Sequence, residues 1–297
     1  MNYIFITGAN GFLGSYLYNN FRVITPASTV HHLTRGYSYK NQMLAVINSS
    51  CDFNAVIIHA ASATPVNTMQ TMVFQSNMHL TKEIADCIDC FGPTLRVINI
   101  SSVSVYGNPV GEIRESYVAE YLTQYGASKL SAEYYLNSKF TAYSNNLIHL
   151  RAPGIVGLGS YRRSRNFISA VARSMRHNEP ISYKLDRHPF NNIVTDFQIF
   201  EICNYLVFSK AWKLTSRGAS VNIASRSPKS LDKVLQRLKC ALHSNSSMTS
   251  INEPDSAFYL NIDYALEIGL PLMDTFMSID SFAKILLDSK EHLEFPS

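Results

Sequence analysis

The stretch that most constrains the fold of this chain is the glycine-rich segment within residues 1–20. Tyr3-Ile4-Phe5-Ile6 is a short β-branched and aromatic run, which is typical of a strand buried on both faces. It continues into Gly8-Ala9-Asn10-Gly11-Phe12-Leu13-Gly14 and then into residues that can form a helix. A strand, a glycine-rich turn and a helix in this order predict a βα unit that binds phosphate at the helix N-terminus.

Each glycine of this turn has a predicted task. Gly8 makes the tight turn, Gly11 lets backbone N–H groups approach a pyrophosphate, and Gly14 lets the helix pack close to the strand. The spacing Gly-x-x-Gly-x-x-Gly fits the general dinucleotide fingerprint only loosely, so the flanking strand and helix carry the prediction. The residues predicted to bind a dinucleotide in this turn are Gly8, Asn10, Gly11, Phe12, Leu13 and Gly14.

Composition narrows the class of protein. The chain has 297 residues, 46% of them hydrophobic, which is enough for a large core, and its net charge of +4 is too small to predict nucleic-acid binding. No apolar run is long enough for a membrane helix, and no basic segment resembling a signal peptide precedes the first strand. The five cysteines are scattered, which indicates a reducing compartment, so we expect a cytoplasmic protein without membrane partners.

The following segment bears on the choice of cofactor. Residues 22–25 predict a second strand, and no acidic residue follows it before Asp52. NAD-binding proteins of this type usually place a carboxylate there to hold the adenosine ribose, so its absence favours NADP over NAD. Arg35 or a histidine is the candidate partner for the additional phosphate. We interpret His31 and His32 as loop residues, and Cys87 and Cys90 as packing residues, so no metal site is predicted.

Strand and helix patterns alternate along most of the chain, which predicts an α/β fold with a Rossmann-type, doubly wound parallel sheet. One strand ends in Ala60 and Ala61, whose small side chains leave room for a cofactor above the sheet. After Gly154 the elements become shorter. Residues 1–153 with about 190–224 are therefore predicted to form the cofactor domain. Residues 154–189 with 225–297 are predicted to form a smaller α+β substrate-binding lobe.

Tyr125 and Lys129 are the candidate catalytic pair. Their spacing places them on one face of a helix, about one turn apart. A neighbouring ammonium group stabilises phenolate, which would make Tyr125 a usable general acid and base. The pattern is weak alone, but it follows Ser102, which ends a predicted buried strand, in a chain with a nucleotide-binding turn.

Taken together, these segments resemble the extended short-chain dehydrogenase/reductase superfamily, and within it the NAD(P)-dependent nucleotide-sugar epimerase, dehydratase and reductase family. The resemblance is strongest over residues 1–155. The segments that carry it are Thr7 to Gly14, His59-Ala60-Ala61, Ser101-Ser102 with Val105-Tyr106-Gly107, and Tyr125 to Lys129.

The resemblance implies a role for each matching position. Tyr125 would be the acid and base at the sugar oxygen, Lys129 would bind the nicotinamide ribose, and Ser102 would hydrogen-bond the same oxygen as Tyr125. Asn77 matches a helix asparagine near the cofactor, and Pro153 matches a backbone contact to the carboxamide. The implied ligand is a nucleotide-diphosphate sugar, and the implied assembly is a homodimer formed by two long helices.

Two departures from the family pattern bear on the reaction. Dehydratases carry Asp-Glu directly after the Ser/Thr, whereas this chain has Val103 and Ser104, so dehydration is not expected. Gly154 stands where many epimerases carry a substrate-binding Asn. The favoured interpretation is an NADP-dependent reductase of a 4-keto-6-deoxy nucleotide sugar, of the kind used for surface polysaccharides. A 4-epimerase that retains NAD and a non-enzymatic nucleotide sensor stay open.

The sequence says least about which residues recognise the substrate. Basic residues in the smaller lobe are candidates for the substrate pyrophosphate, because two negative charges must be held there. The predicted substrate-binding residues are Ser102, Val103, Tyr125, Gly154, Arg163, Arg165 and Arg187.

Overall fold

The computed structural model describes most of the chain. The described residues are 2–26, 29–47, 53–64, 69–140, 146–159, 166–184, 187–209, 219–251 and 257–289. The helices are α1 (Phe12–Ile24), α2 (Tyr39–Val46), α3 (Gln70–Phe91), α4 (Gln124–Lys139), α5 (Phe167–Arg176), α6 (Asp196–Phe208), α7 (Leu231–Ala241), α8 (Asp263–Glu267) and α9 (Thr275–Asp288). The main-sheet strands are β1 (Asn2–Thr7), β2 (Val30–Leu33), β3 (Asn54–His59), β4 (Leu95–Ser102), β6 (Leu147–Ala152) and β11 (Ala219–Asn222).

The main sheet is parallel throughout, in the order β11-β6-β4-β3-β1-β2. The chain leaves β1 for β2 on one side and then returns to β3 on the other side of β1. This reversal is a topological switch point, where the carboxyl ends of parallel strands leave a crevice for a ligand. The predicted α/β fold with a Rossmann-type, doubly wound parallel sheet is therefore confirmed.

Strand alternation divides the side chains of the sheet between two cores. Ile4, Ile6 and Val56 belong to one core, together with residues of α1 and α6. Phe5 and Ile57 face the other side and pack with residues of α2, α3 and α4. Burial on both faces explains why these strands are almost continuous apolar runs.

The predicted second strand is wrong. Residues 22–25 are the last turn of α1 and its C-cap, and the strand that pairs with β1 is Val30–Leu33. Leu13, Leu17 and Phe21 are buried at intervals of four residues, about one helical turn. Burial of this face stabilises α1 through the β-branched residues 23 and 24. Val23 is 83% exposed, so this run contributes nothing to the sheet core. His31 and His32 consequently lie in β2, not in a loop.

The remaining strands form short pairs. They are β5 (Gly111–Ile113), β7 (Gly154–Val156), β8 (Ile181–Lys184), β9 (Pro189–Phe190), β10 (Ile193–Thr195), β12 (Lys229–Ser230), β13 (Met248–Ile251) and β14 (Phe258–Leu260). A separate apolar cluster joins β7 and β8 with α5, α7 and α9. Residues around Leu270 pack with the sheet core instead, and the predicted domain boundaries stay a prediction. No helix among the described residues is long and apolar enough to cross a membrane.

Candidate active site

The glycine turn lies at the carboxyl end of β1, beside the switch point. Gly8 has φ +73°, a backbone conformation that residues other than glycine rarely adopt. Gly11 N donates to Gly8 O at 2.8 Å. A Cβ at position 14 would lie 2.2 Å from Gly8 O, so α1 reaches the turn only because residue 14 has no side chain. Gly11 is exposed at the N-cap of α1, which leaves the helix N-terminus accessible to an anion.

The end of β3 completes this side of the crevice. A Cβ at Gly8 would lie 2.9 Å from both the Cα and the N of Ala61, so the two chain segments meet backbone to backbone. Thr7 Oγ1 accepts a hydrogen bond from Ala61 N at 3.0 Å and lies 2.9 Å from His59 Nδ1. Ala60 and Ala61 are half-buried, as expected for residues that line a cofactor crevice. These contacts bring the two predicted cofactor segments together.

The first turn of α4 positions Tyr125. The helix is capped by Thr123, whose hydroxyl accepts from Gly126 N at 3.0 Å. A Cβ at Gly126 would lie 2.2 Å from Ser104 O, so the absence of a side chain lets this turn pack against the segment after Ser102. Tyr125 itself is partly exposed, as an acid and base that reaches a ligand must be.

Lys129 lies one turn further along α4 and is 6% exposed. Its Nζ donates to Ile100 O at 2.9 Å and lies 5.9 Å from the centroid of the Tyr125 ring. This hydrogen bond uses one of its three N–H donors. The ammonium group is therefore anchored to β4 while its positive charge lies beside Tyr125.

Ser102 ends β4 and begins a 3₁₀ turn, Val103–Tyr106. Its Oγ accepts from Ser104 N and donates to Ser104 Oγ, both at 3.1 Å. The hydroxyl is half-buried at the carboxyl edge of the sheet, and Val103 beside it is also half-buried. Val103 and Ser104, the two residues after Ser102, carry no carboxyl group, so the acid and base pair of a dehydratase is absent from these positions.

Asn77 lies on α3 and links two parts of the site. Its Oδ1 accepts from Ala63 N at 2.7 Å, and its Nδ2 donates to Ala63 O at 3.0 Å and to Ser128 Oγ at 2.9 Å. Ser62 Oγ adds a contact of 3.3 Å to Oδ1. The amide thus holds the segment after β3 against α4, and a direct contact with a cofactor stays a prediction.

The structure brings together fewer of the predicted substrate-binding residues than of the predicted cofactor-binding residues. Pro153 is buried between β6 and β7, and Gly154 follows it. A Cβ at Gly154 would lie 2.2 Å from Nδ2 of Asn166, so the carboxamide of Asn166 fills the space that a side chain at 154 would need. Arg187 is exposed beside β9, while Arg163 and Arg165 lie outside the described residues.

The corrected strand changes the position of Arg35. Because β2 ends at Leu33, Thr34 and Arg35 directly follow the strand, and Arg35 is exposed. This is the position at which dinucleotide-binding proteins place the residue that contacts the adenosine ribose or its phosphate. His31 stacks on Phe5 with centroids 5.5 Å apart, and His32 meets Tyr18 edge-on. Among the described residues no cluster of three or more metal-ligating side chains occurs.

Sequence reasoning missed a layer of buried polar residues between the sheet and α4. It includes Thr7 and His59, and also Glu133, which is 2% exposed and bonded to Ser101 and Arg151. Burial lowers the pKa of His59 to about 3, assisted by the charge of Lys129, so the imidazole is neutral. The signal was present in the sequence, because polar residues stand at alternate positions near the ends of otherwise apolar strands.

A family model for the NAD-dependent epimerase/dehydratase family matches residues 4–189. The chain belongs to this family. The resemblance read from the sequence is therefore confirmed, and the match includes the glycine turn, Ser102, Tyr125 and Lys129. A search of curated proteins found no match for the chain.

Solved structures share the fold over nearly their whole length. A dTDP-glucose 4,6-dehydratase from Bacillus anthracis, in complex with NAD, has a TM-score of 0.73 at 15% identity and covers 99% of this chain and 100% of its own. A UDP-glucose 4-epimerase from Thermotoga maritima, with UDP-glucose, has a TM-score of 0.73 at 16% identity, covering 98% and 100%. RMD from Pseudomonas aeruginosa, complexed with NADPH, has a TM-score of 0.71 at 17% identity, covering 96% and 98%.

The residues present fit a nicotinamide dinucleotide. The glycine turn leaves an accessible helix N-terminus for the pyrophosphate, and any Cβ at Gly8 or Gly14 would collide with backbone. Lys129 is bonded to β4, which lies beyond β3 from the glycine turn of β1, in the direction that the far end of a dinucleotide would take. The crevice therefore has an accessible helix N-terminus at the glycine turn and a partly exposed tyrosine at the start of α4.

Proposed function

We propose that this protein is an NADP-dependent reductase of a nucleotide-activated 4-keto sugar, including 4-keto-6-deoxy sugars. The observation that carries the proposal is the combination at the end of β4 and the start of α4. Ser102, Tyr125 and Lys129 are all present, and the positions after Ser102 hold Val103 and Ser104 instead of titratable acids. Reduction needs one proton donor and a hydride, whereas dehydration needs a further acid and base.

Each residue has a defined part in this reaction. When bound, the reduced nicotinamide supplies the hydride that goes to the carbonyl carbon. Tyr125 donates its phenolic proton to the carbonyl oxygen as negative charge develops there, and Ser102 donates a hydrogen bond to the same atom. The positive charge of Lys129 stabilises the tyrosinate that remains, which makes the proton transfer easier.

The preference for NADP rests on Arg35. Residues 22–25 are helical and form no strand, but β2 also lacks an acid at its carboxyl end. The residue available there is an exposed arginine, whose planar guanidinium suits bidentate binding of a phosphate. A carboxylate at this position would instead favour the ribose hydroxyls of NAD.

The test is turnover with a panel of 4-keto-6-deoxy nucleotide sugars and either NADPH or NADH. We expect loss of the reduced-nicotinamide absorbance with at least one sugar, faster with NADPH. A protein that binds neither cofactor and consumes neither would contradict the proposal. Retention of every function in Tyr125→Phe would support the non-enzymatic sensor instead.

A 4-epimerase is the second candidate, and Asn166 is the observation that favours it. Its Nδ2 lies where the side chain of residue 154 would be, and Oδ1 caps α5 through Ile168 N at 2.9 Å. A carboxamide therefore lies beside Gly154 even though that position is glycine, and its oxygen is bonded to the N-terminus of α5. Co-purified NAD, with interconversion of two sugars and no net consumption of NADPH, would identify this activity.

We also propose the nucleotide-diphosphate sugar as substrate, with Arg163, Arg165 and Arg187 as candidates for its pyrophosphate. The proposed assembly is a homodimer through α3 and α4, which pack against each other and expose Met72 and Tyr134. Tyr134→Glu should convert the dimer to a monomer in light scattering. An unchanged mass for the variant, or a monomeric parent protein, would contradict this interface.

A further inference from the structure

A cluster of buried polar side chains lies between α4 and the sheet, close to the residues assigned to catalysis. It is built around Glu133 of α4, which faces β4, β6 and β11. The side chains that meet it come from Ser101, Arg151 and Ser220, one from each strand. Ser101 and Arg151 are direct neighbours across β4 and β6. Ordinary helix packing would place apolar side chains here, so this group requires an explanation.

The carboxylate of Glu133 is fully engaged. Arg151 donates to both oxygens, from Nε at 3.1 and 3.2 Å and from Nη2 to Oε2 at 2.7 Å. Ser101 Oγ donates to Oε1 at 2.5 Å, and Ser220 Oγ donates to Oε2 at 2.9 Å. A bidentate arginine with two hydroxyl donors fixes the carboxylate in both position and orientation.

Arg151 extends the group to the other side of Ser102. Its Nη1 donates to Tyr106 Oη at 3.0 Å and to Glu115 O at 2.8 Å, and its guanidinium lies 5.0 Å from the centroid of the Tyr106 ring. Tyr106 ends the 3₁₀ turn that begins directly after Ser102. One arginine therefore connects Glu133 of α4 with the segment after the catalytic serine.

The pair is ionised although it is buried. Burial disfavours the charged form of Glu133, but the neighbouring His149, Arg151 and Ser101 nevertheless hold its pKa below the ordinary value. Removing one member would leave an uncompensated charge in the interior, whereas a complete pair with satisfied hydrogen bonds is rigid. Such a group contributes more to a defined geometry than to net stability.

The spacing along α4 connects this group to catalysis. Tyr125, Lys129 and Glu133 follow one another at intervals of four residues, so all three lie on one face of the helix. Tyr125 is in the first turn, where backbone hydrogen bonds are incomplete and helices fray. The orientation of that turn therefore depends on attachments further along the helix. Lys129 attaches to Ile100 and Glu133 to Ser101, the two residues that precede Ser102.

We propose that Glu133 and Arg151 form a clamp that fixes α4 against β4 and so sets the position of Tyr125 and Lys129 relative to Ser102. Both are positioning residues, because neither touches the reacting atoms. The inference rests on the proposed function, since it assigns the clamp a role in that same reaction.

The experiment compares two clamp variants with a matched packing variant on the same helix. Glu133→Gln removes the charge with little change of shape, and Ser101→Ala removes one hydrogen bond and leaves the ion pair intact. Leu136→Ala opens a cavity under α4 on its apolar side, where Leu136 is fully buried. All proteins are assayed well below their measured melting temperatures, with NADPH affinity, kcat, KM and the pH profile of kcat as readouts.

We expect Glu133→Gln to lower kcat about 10²-fold, as misplacement by about 1 Å can do, with KM changed less than about threefold. NADPH affinity should fall about tenfold, because a displaced α4 would move Lys129 relative to the cofactor ribose. Ser101→Ala should lower kcat several-fold. It should also shift the pH dependence of kcat on the acidic or the basic side. Leu136→Ala should lose melting temperature but keep kcat and NADPH affinity.

Several outcomes would overturn the clamp. One is that Ser101→Ala and folded Glu133→Gln both keep the kcat and NADPH affinity of the parent protein. Another is that Leu136→Ala loses as much kcat as Glu133→Gln does. If Glu133→Gln does not fold, Ser101→Ala decides alone. A parent protein that binds no nicotinamide cofactor would overturn the proposed function, and the clamp with it. A parent protein that reduces keto sugars while its clamp variants match it would overturn the clamp only.

Discussion

The two faces of the sheet differ most near the carboxyl ends of the strands. On the face that carries α1 and α6, the side chains near the strand ends are largely apolar, as Ile6, Ile58 and Ile100 illustrate. On the face that carries α4, the same strand ends hold Thr7, His59, Ser101 and Arg151. The first face holds its helix by close backbone approach and apolar packing. The second face holds its helix by buried hydrogen bonds.

This difference matches what each face is proposed to do. A phosphate anchor needs a backbone shape, and glycines at fixed spacing supply it without partners elsewhere in the chain. An acid and base must keep its orientation within a few tenths of an ångström, and directional hydrogen bonds from several strands provide that. The polar face is the more fragile of the two, because every buried donor and acceptor must remain paired.

The strongest test of the polar face is Tyr125→Phe, which removes one hydroxyl. We expect kcat to fall about 10³-fold, within the usual range for loss of a general acid, while NADPH affinity stays within several-fold. The matched control is Tyr134→Phe, because Tyr134 is exposed on the same helix. Steady-state kinetics and cofactor titration check this, and near-normal turnover in Tyr125→Phe would contradict the assigned role.

The corresponding test of the apolar face is Gly14→Ala. The new Cβ would lie 2.2 Å from Gly8 O, so the helix must move away from the turn. We expect a loss of about 3 kcal/mol in the free energy of unfolding, measured in urea, together with weak cofactor binding. Gly11→Ala is the control, since its Cβ meets only Gly8 O at 3.2 Å. It should weaken cofactor binding with a smaller loss of stability, and a fully stable Gly14→Ala would show that the turn is not close-packed.

Acid should weaken the polar face first. Burial lowers the pKa of His149 to about 4, and burial with Lys129 lowers that of His59 to about 3, against 6.5 for the ordinary side chain. The unfolded chain therefore binds more protons, and the stability from each neutral histidine is complete above pH 6.5 and lost as the pH falls toward the folded-state pKa. Between pH 7 and pH 5 we expect a loss of about 2 kcal/mol for each histidine.

Urea unfolding at both pH values measures this loss. His149→Asn should reduce the dependence on pH by about half, whereas His79→Asn, at an exposed position on α3, should leave it unchanged. Equal pH dependence in all three proteins would mean that these histidines accept protons without unfolding.

The smallest expected effect concerns Arg35, at the rim of the apolar face. Arg35→Ala should reduce the preference for NADPH over NADH about tenfold, because a charge-assisted bond to an exposed phosphate is partly screened. Arg22→Ala, which removes an exposed positive charge at the end of α1, should leave the preference unchanged. Competitive titration with the two cofactors measures the ratio, and an unaltered ratio in Arg35→Ala would place the phosphate elsewhere.

The sequence by itself determined the glycine turn, the alternation of strands and helices, and the spacing of Tyr125 and Lys129. These features depend on backbone freedom at glycine, on hydrophobic period and on helical geometry, which are all local. The family could also be recognised, because its motifs lie in order along one half of the chain. Residue types at fixed short distances were sufficient for each of these conclusions.

Only the tertiary structure decided which β-branched run is the second strand. Val23 and Ile24 suit a strand as well as Val30 does, but only the latter run pairs with β1. Pairing across the sheet also placed Arg35 two residues after the end of the strand. In the same way, Glu133 meets Arg151 and Ser220 only once α4 lies on β6 and β11, and Asn166 fills the space beside Gly154 only in the folded chain. The physical reason is that such partners are selected by packing across the sheet, and their separation along the chain carries no signal of it.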